Sequence, residues 1–151
     1  MIKPKKKSIE LPISEITLRK YEKPDKELDR RELIRKIALS LGLLQPGDSR
    51  DIIVDIFQAI VDSKKAIPTK SIMKKVIKQR KKYNLPIVGL TYPNVCRQLR
   101  RLKQLMIIEV KADKYRLNEN DSLKNICNEK IIKYYTASIQ DRVNDYLQLL
   151  E

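Results

Sequence analysis

A chain of 151 residues is about one domain long, and with 42% apolar residues it can close a core, which excludes wholesale disorder. Thirty-three Lys and Arg against 19 Asp and Glu give a formal charge of +14, pointing first to a nucleic acid and second to an acidic membrane surface. The absence of histidine, three widely separated glycines and two cysteines in no paired spacing argue against the usual general base, a glycine-rich phosphate cradle and a disulfide framework. No catalysis, metal or cofactor is expected.

Residues 1–27 hold Pro4, Pro12, Pro24 and the Lys5-Lys6-Lys7 run, the composition of a basic, flexible, solvated arm, although Ile9, Leu11 and Ile13 alternate as a short strand would. Glu10, Pro12 and Glu15 interrupt the apolar stretch a signal peptide needs, and no apolar run is long enough to span a bilayer, so a cytoplasmic, nucleoid-associated protein is expected. From Asp29 onward Leu33, Ile34, Ile37, Ala38 and Leu41 recur at helical spacing, with Gly42 as a cap.

Asp48 or Ser49 is expected to cap a second helix that buries Ile52, Ile53, Ile56, Phe57, Ile60 and Val61 on one face, leaving Asp51 and Asp55 on a solvated one. Ala66 and Ile67 suit a very short strand before Pro68. Thr69 then caps a third helix that carries Ile72, Met73, Val76 and Ile77 inward, and Asn84, Pro86 and Gly89 break it. A fourth helix starts at Thr91, tolerates Pro93 in its first turn and buries Val95, Leu99 and Leu102.

Met106 to Lys111 and Tyr115 to Leu117 alternate across an Ala112-Asp113-Lys114 turn, which predicts a hairpin. Asp121 or Ser122 caps a last helix running toward Glu151. Its apolar residues Ile132, Tyr135, Ile139, Val143, Tyr146 and Leu150 keep to one side of a straight helix, a stripe that suits homodimerisation because it would otherwise expose a large apolar patch. Cys96 and Cys127 read as small core fillers.

Charge is not spread evenly over these elements. Between Asp62 and Glu109 there is no acid but thirteen bases, so nearly all of the net charge sits in one block. Within it, on the fourth helix, the side opposite Val95, Leu99 and Leu102 carries Pro93, Arg97 and Gln104, flanked by Asn94, Arg100 and Arg101. Arg can grip guanine with two hydrogen bonds and Asn can do the same for adenine. The third helix presents Lys70, Lys74, Lys75, Lys78 and Lys82 away from its apolar face, where point charges suit phosphates.

The order helix, short strand, helix, turn, helix and two-stranded wing over Ser49 to Asn118 resembles the winged helix-turn-helix superfamily. Tyr83 to Ile108 (YNLPIVGLTYPNVCRQLRRLKQLMII) is similar to the second-helix, loop and recognition-helix stretch of archaeal winged-helix regulators, and to the winged helix that ends archaeal origin-recognition initiators. The loop Asn84 to Leu90 is wider than the turn of the simplest members, and no ATPase motif accompanies it. The apolar stripe makes 120–151 the expected dimerisation helix; the resemblance implies a mainly α fold with a small β-hairpin wing and a winged-helix domain over 28–119 with one additional N-terminal helix. It places helix 91–105 in the major groove, with Asn94, Arg97 and Arg101 toward base edges.

Lys70, Lys74, Lys75, Lys78, Lys82, Thr91, Tyr92, Arg100 and Gln104 are then candidates for phosphates, and Lys111, Lys114 and Arg116 for contacts of the wing. The expected function is sequence-specific binding of double-stranded DNA by a homodimeric transcriptional regulator, with no membrane and no small-molecule ligand to be inferred. Two alternatives stay open: a chromatin, segregation or replication accessory protein that binds DNA with little preference, and a winged-helix module that recruits another protein.

Overall fold

The computed structural model describes residues 10–24 and 27–151. At its centre lies α2 (Ile52–Asp62), buried without interruption from Asp51 to Ile60. A helix apolar on only one face would not be enclosed in this way. α1 (Arg30–Ser40), α3 (Thr69–Lys82) and α4 (Tyr92–Gln104) all pack against it, and the core runs through Ile34, Ala38, Ile56, Phe57, Ile72, Val76, Val95, Leu99 and Leu102. The chain is therefore mainly helical, with a small antiparallel sheet at one edge. In it β3 (Lys114–Leu117) sits between β1 (Ile67–Pro68) and β2 (Ile108–Lys111), pairing Tyr115 with both Ile67 and Val110.

Turn chemistry fixes where the elements stop. α1 closes on a left-handed Gly42 (φ +72°), with the Leu43 N–H donating to Ala38 O at 2.9 Å and the Gly42 N–H to Leu39 O at 3.3 Å. Glycine is required there twice over, since a Cβ would meet Thr17 Cβ at 2.6 Å. α3 and α4 close on the same pattern of bonds with Asn84 and Met106 in the left-handed position. The β2–β3 hairpin turns on Ala112 and Asp113, both at positive φ, the two-residue geometry that matches the twist of its strands.

The expected solvated arm is anchored over part of its length. Arg19 donates to Leu39 O at 2.8 Å, Leu44 O at 3.0 Å and Gln45 Oε1 at 2.9 Å, so its charge meets the carbonyl end of α1, while Ile16 and Tyr21 pack on the core. Lys5, Lys6 and Lys7 lie outside the described residues.

The reading of Asp51 and Asp55 as solvated is overturned. Asp55 is 1% exposed and Asp51 6%, and three arginines from neighbouring helices converge on them. Arg31 spans both, with Nε to Asp55 Oδ1 at 3.0 Å and NH2 to Asp51 Oδ2 at 3.1 Å; Arg35 reaches Asp51 Oδ2 at 2.6 Å. Arg80, one of the thirteen bases of the block and 2% exposed, bonds Asp55 Oδ2 at 2.7 Å and Asp51 Oδ1 at 3.0 Å. Its Nε donates to Pro86 O at 2.7 Å, which ties the α3–α4 loop to the same cluster. Among the described residues no buried side-chain nitrogen or oxygen lacks a partner. Asp48, expected as a cap, instead accepts the Arg50 N–H at 2.9 Å, and α2 begins after Asp51.

The terminal helix is continuous through α5 (Leu123–Ile126), a π-helical stretch (Cys127–Thr136) and α6 (Ala137–Leu150), capped at Ser122 by the Asn125 N–H. The wider π turn buries Ile126 and Ile131, five residues apart, so the inward residue is Ile131 at 1% exposure while Ile132, expected on the stripe, is 57% exposed. From residue 140 to the end every side chain is exposed.

Burial disfavours the Asp51 carboxylate, but hydrogen bonds from Arg80 and Arg31 outweigh that cost and hold its pKa below the ordinary range. A lowered folded-state value adds stability above the unfolded pKa of about 3.9 and loses it as pH falls through the lower folded value. Acid unfolding should therefore steepen below about pH 4, and Asp51→Asn should flatten that limb. Asp55→Asn, which leaves two buried guanidiniums to share the single carboxylate of Asp51, is expected to cost about 3–5 kcal/mol in urea denaturation at neutral pH.

Candidate nucleic-acid interface

α4 forms because Thr91 accepts the Asn94 N–H at 3.3 Å, Pro93 occupies the first turn, and Val95, Leu99 and Leu102 supply one buried stripe. Opposite that stripe lies an exposed ridge of Pro93, Arg97, Arg100 and Gln104. Its two flanks differ. Tyr92 and Cys96 lie on the side of the β-hairpin, where Tyr115 stands between elements. Burial raises the pKa of its phenol, Cys96 and Asp113 add to the shift, and the Thr69 hydroxyl and the Arg100 charge oppose it. The hairpin, the start of α3 and the Arg100 side of α4 therefore meet at one ring.

The other flank carries Asn94, Gln98 and Arg101 and looks toward the turn after α1. Asn94 is engaged within the molecule: its amide donates to Gly89 O at 2.7 Å, and its Oδ1 accepts from Arg97 at 2.7 Å and from Gln98 at 3.3 Å. Arg101 is half-buried, with NH1 on Gln98 Oε1 at 2.8 Å and NH2 on Gly42 O at 3.3 Å. Of the three residues expected at base edges, Arg97 thus stands on the exposed ridge, Asn94 braces it, and Arg101 faces sideways. Helix periodicity does not separate these roles, because it shows neither how the loop before α4 folds back on Asn94 nor that the distant turn after α1 reaches Arg101.

Lys70, Lys74, Lys78 and Lys82 are exposed along α3. Lys75 is exposed as well but donates to Ser63 Oγ at 2.9 Å, and Gln79 beside it bonds Gln58 of α2. On the hairpin Lys111 and Lys114 face each other across the turn, both in solvent. Arg116 points instead to Glu109, at 2.9 Å. The Glu109 carboxylate also accepts the Glu119 N–H at 2.8 Å; against some desolvation, that bond and Arg116 hold its pKa low.

On the terminal helix Tyr135 and Ile139 are half-buried, while Val143, Tyr146 at 69% and Leu150 at 82% are exposed. Leu147 and Leu149 add to that apolar surface, and the sequence stripe omitted them because they fall beside its line rather than on it. Among the described residues no three His, Cys, Asp or Glu side chains gather as a metal site would need, and no helix is long and apolar enough to cross a membrane.

Comparison with protein-family models, with curated proteins and with solved structures finds no match for this chain. The case for an interface therefore stands on its own geometry. Because the ridge is presented from the first turn of α4, Thr91→Ala should cost about 1 kcal/mol through the lost cap. Amide exchange should accelerate first at Asn94, whose N–H loses its acceptor.

Proposed function

We propose that this chain binds double-stranded DNA as a winged helix-turn-helix protein, with α4 in the major groove, and acts as a homodimeric transcriptional regulator. The observation that carries this reading is the exposed ridge of α4, where Arg97 and Arg100 form no ion pair among the described residues, in the same acid-free block of sequence as the exposed lysines of α3. The order α2, β1, α3, α4, β2, β3, with β3 central in the sheet, supports the winged arrangement.

In this reading Arg97 reads base edges, with Asn94 setting its direction; Arg100 and Gln104 lie toward the backbone; Lys70, Lys74, Lys78 and Lys82 meet phosphates; and Lys111 and Lys114 reach the flanking duplex. Arg116 pairs with Glu109 and Arg101 is turned sideways toward the α1 turn, so neither is given a DNA contact here. The projecting apolar face of α6 supplies the two-fold contact, and a two-fold pair of ridges would meet half-sites one turn of duplex, roughly 34 Å, apart or a multiple of it.

Selection of bound duplexes from a random pool at physiological salt should return a consensus with two-fold symmetry; a pool without enrichment rejects sequence reading. Arg97→Ala should cost about 1–3 kcal/mol on that consensus and flatten its preference, whereas Lys74→Ala should weaken all duplexes alike and shallow the salt dependence by about one phosphate. Sedimentation of the wild type should give a dimer and of Tyr146→Asp a monomer, with the helical signal retained because position 146 carries no core load.

A further inference from the structure

We propose that the cleft between the inner flank of α4 and the turn after α1 binds a small carboxylate bearing an apolar tail. This goes beyond the DNA-binding reading and rests on separate observations. The cavity measures about 490 Å3, within the range usual for small-molecule sites. Its apolar wall is Leu43, Leu44, Ile52 and Ile53, core residues that line its inner side, and Val88 of the α3–α4 loop contributes from the rim.

Three guanidiniums, Arg50, Arg97 and Arg101, border the same space. The one acid among its lining residues, Asp48, lies 3.8 Å from Arg50 and forms no ion pair with the other two. Arg101 is the unusual member. The other arginines withdrawn from solvent end on carboxylates, as Arg31, Arg35, Arg80 and Arg116 do, or on the carbonyls that close α1, as Arg19 does. Arg101 ends on a side-chain amide and one long bond to a loop carbonyl, beside the like charge of Arg97. Burial and that neighbour both depress its pKa. A half-buried cation with neutral partners is short of an anion, and a guanidinium best matches a planar carboxylate through two parallel bonds. The apolar wall then selects anions with a tail over inorganic ones. Arg97 belongs both to this rim and to the exposed ridge, so an occupied cleft competes for the side chain that Asn94 now directs outward.

The test is calorimetric titration of the full chain, without DNA, by straight-chain carboxylates from butanoate to decanoate in 150 mM salt, with sodium sulfate and octanol as controls. One saturable site is expected, tightening with tail length, unresponsive to octanol, and weakened about tenfold by Arg101→Gln, the loss of one strong charge-assisted pair. Val88→Asp, on an exposed loop position without a core role, should weaken it as well while leaving the thermal transition in place. No saturable binding by any member of the series, binding untouched by both substitutions, or displacement by sulfate at equal concentration overturns the proposal. Because no duplex is present, failure of the DNA-binding reading leaves this measurement intact, and the reverse holds too.

Discussion

Two buried arginines and two buried aspartates, with a third arginine at their edge, share one ionic cluster, and the placement of α4 follows from how they are satisfied. Each buried ion forfeits several kcal/mol of hydration, and the loss is offset because no buried side-chain nitrogen or oxygen among the described residues lacks a partner. Arg31 and Arg35 bring α1 to the carboxylates of α2, and Arg80 brings α3. The Nε–H of Arg80 donates to Pro86 O, so the loop that leads into α4 is fastened to the core by the same side chain that pairs with the carboxylates. An apolar cluster of equal volume could fill this space, but it would offer no directional bond to a loop carbonyl.

How legible this was in the sequence varies by element, for reasons that can be named. The buried stripe of α4, its Thr91 cap, the Gly42 terminus of α1 and the hairpin all depend on residues within a few positions of one another, and local spacing reveals them. The ionic cluster does not, because its partners lie between sixteen and twenty-nine residues apart. Asp51 and Asp55 sit on the polar face of a helix that would be amphipathic if it stood at the surface, and Arg80 is hidden in a run of lysines that look alike as charges. Only burial separates a solvated base from a structural one. The anchoring of Arg19 on the end of α1 escapes local reading for the same reason: two of its three acceptors are main-chain carbonyls, which leave no mark on composition.

The candidate interface divides along a similar line. Periodicity places Arg97, Arg100 and Gln104 outward, since that depends only on their angle from Val95, Leu99 and Leu102. It cannot tell Arg101 from Arg100, its counterpart on the other flank, because their difference is made by a turn 59 residues upstream that receives one and misses the other. A side chain on the shoulder of a helix takes its role from whatever element passes beside it, and here that element converts a prospective outward contact into one wall of a cleft.

The π-helical stretch before α6 has a mechanical meaning. Compared with an ordinary helix of the same length it accommodates roughly one extra residue, and one residue turns a helix by about 100°. Rewinding the stretch from Cys127 to Thr136 as an ordinary helix, with no residue removed, would swing the whole projecting rod through about that angle, carrying Val143 and Tyr146 around to a different compass bearing with no change in their chemistry. The azimuth of the rod is thus stored in a local irregularity of the backbone rather than in the rod itself. Two chains identical beyond Thr136 could point the same apolar strip toward quite different neighbours.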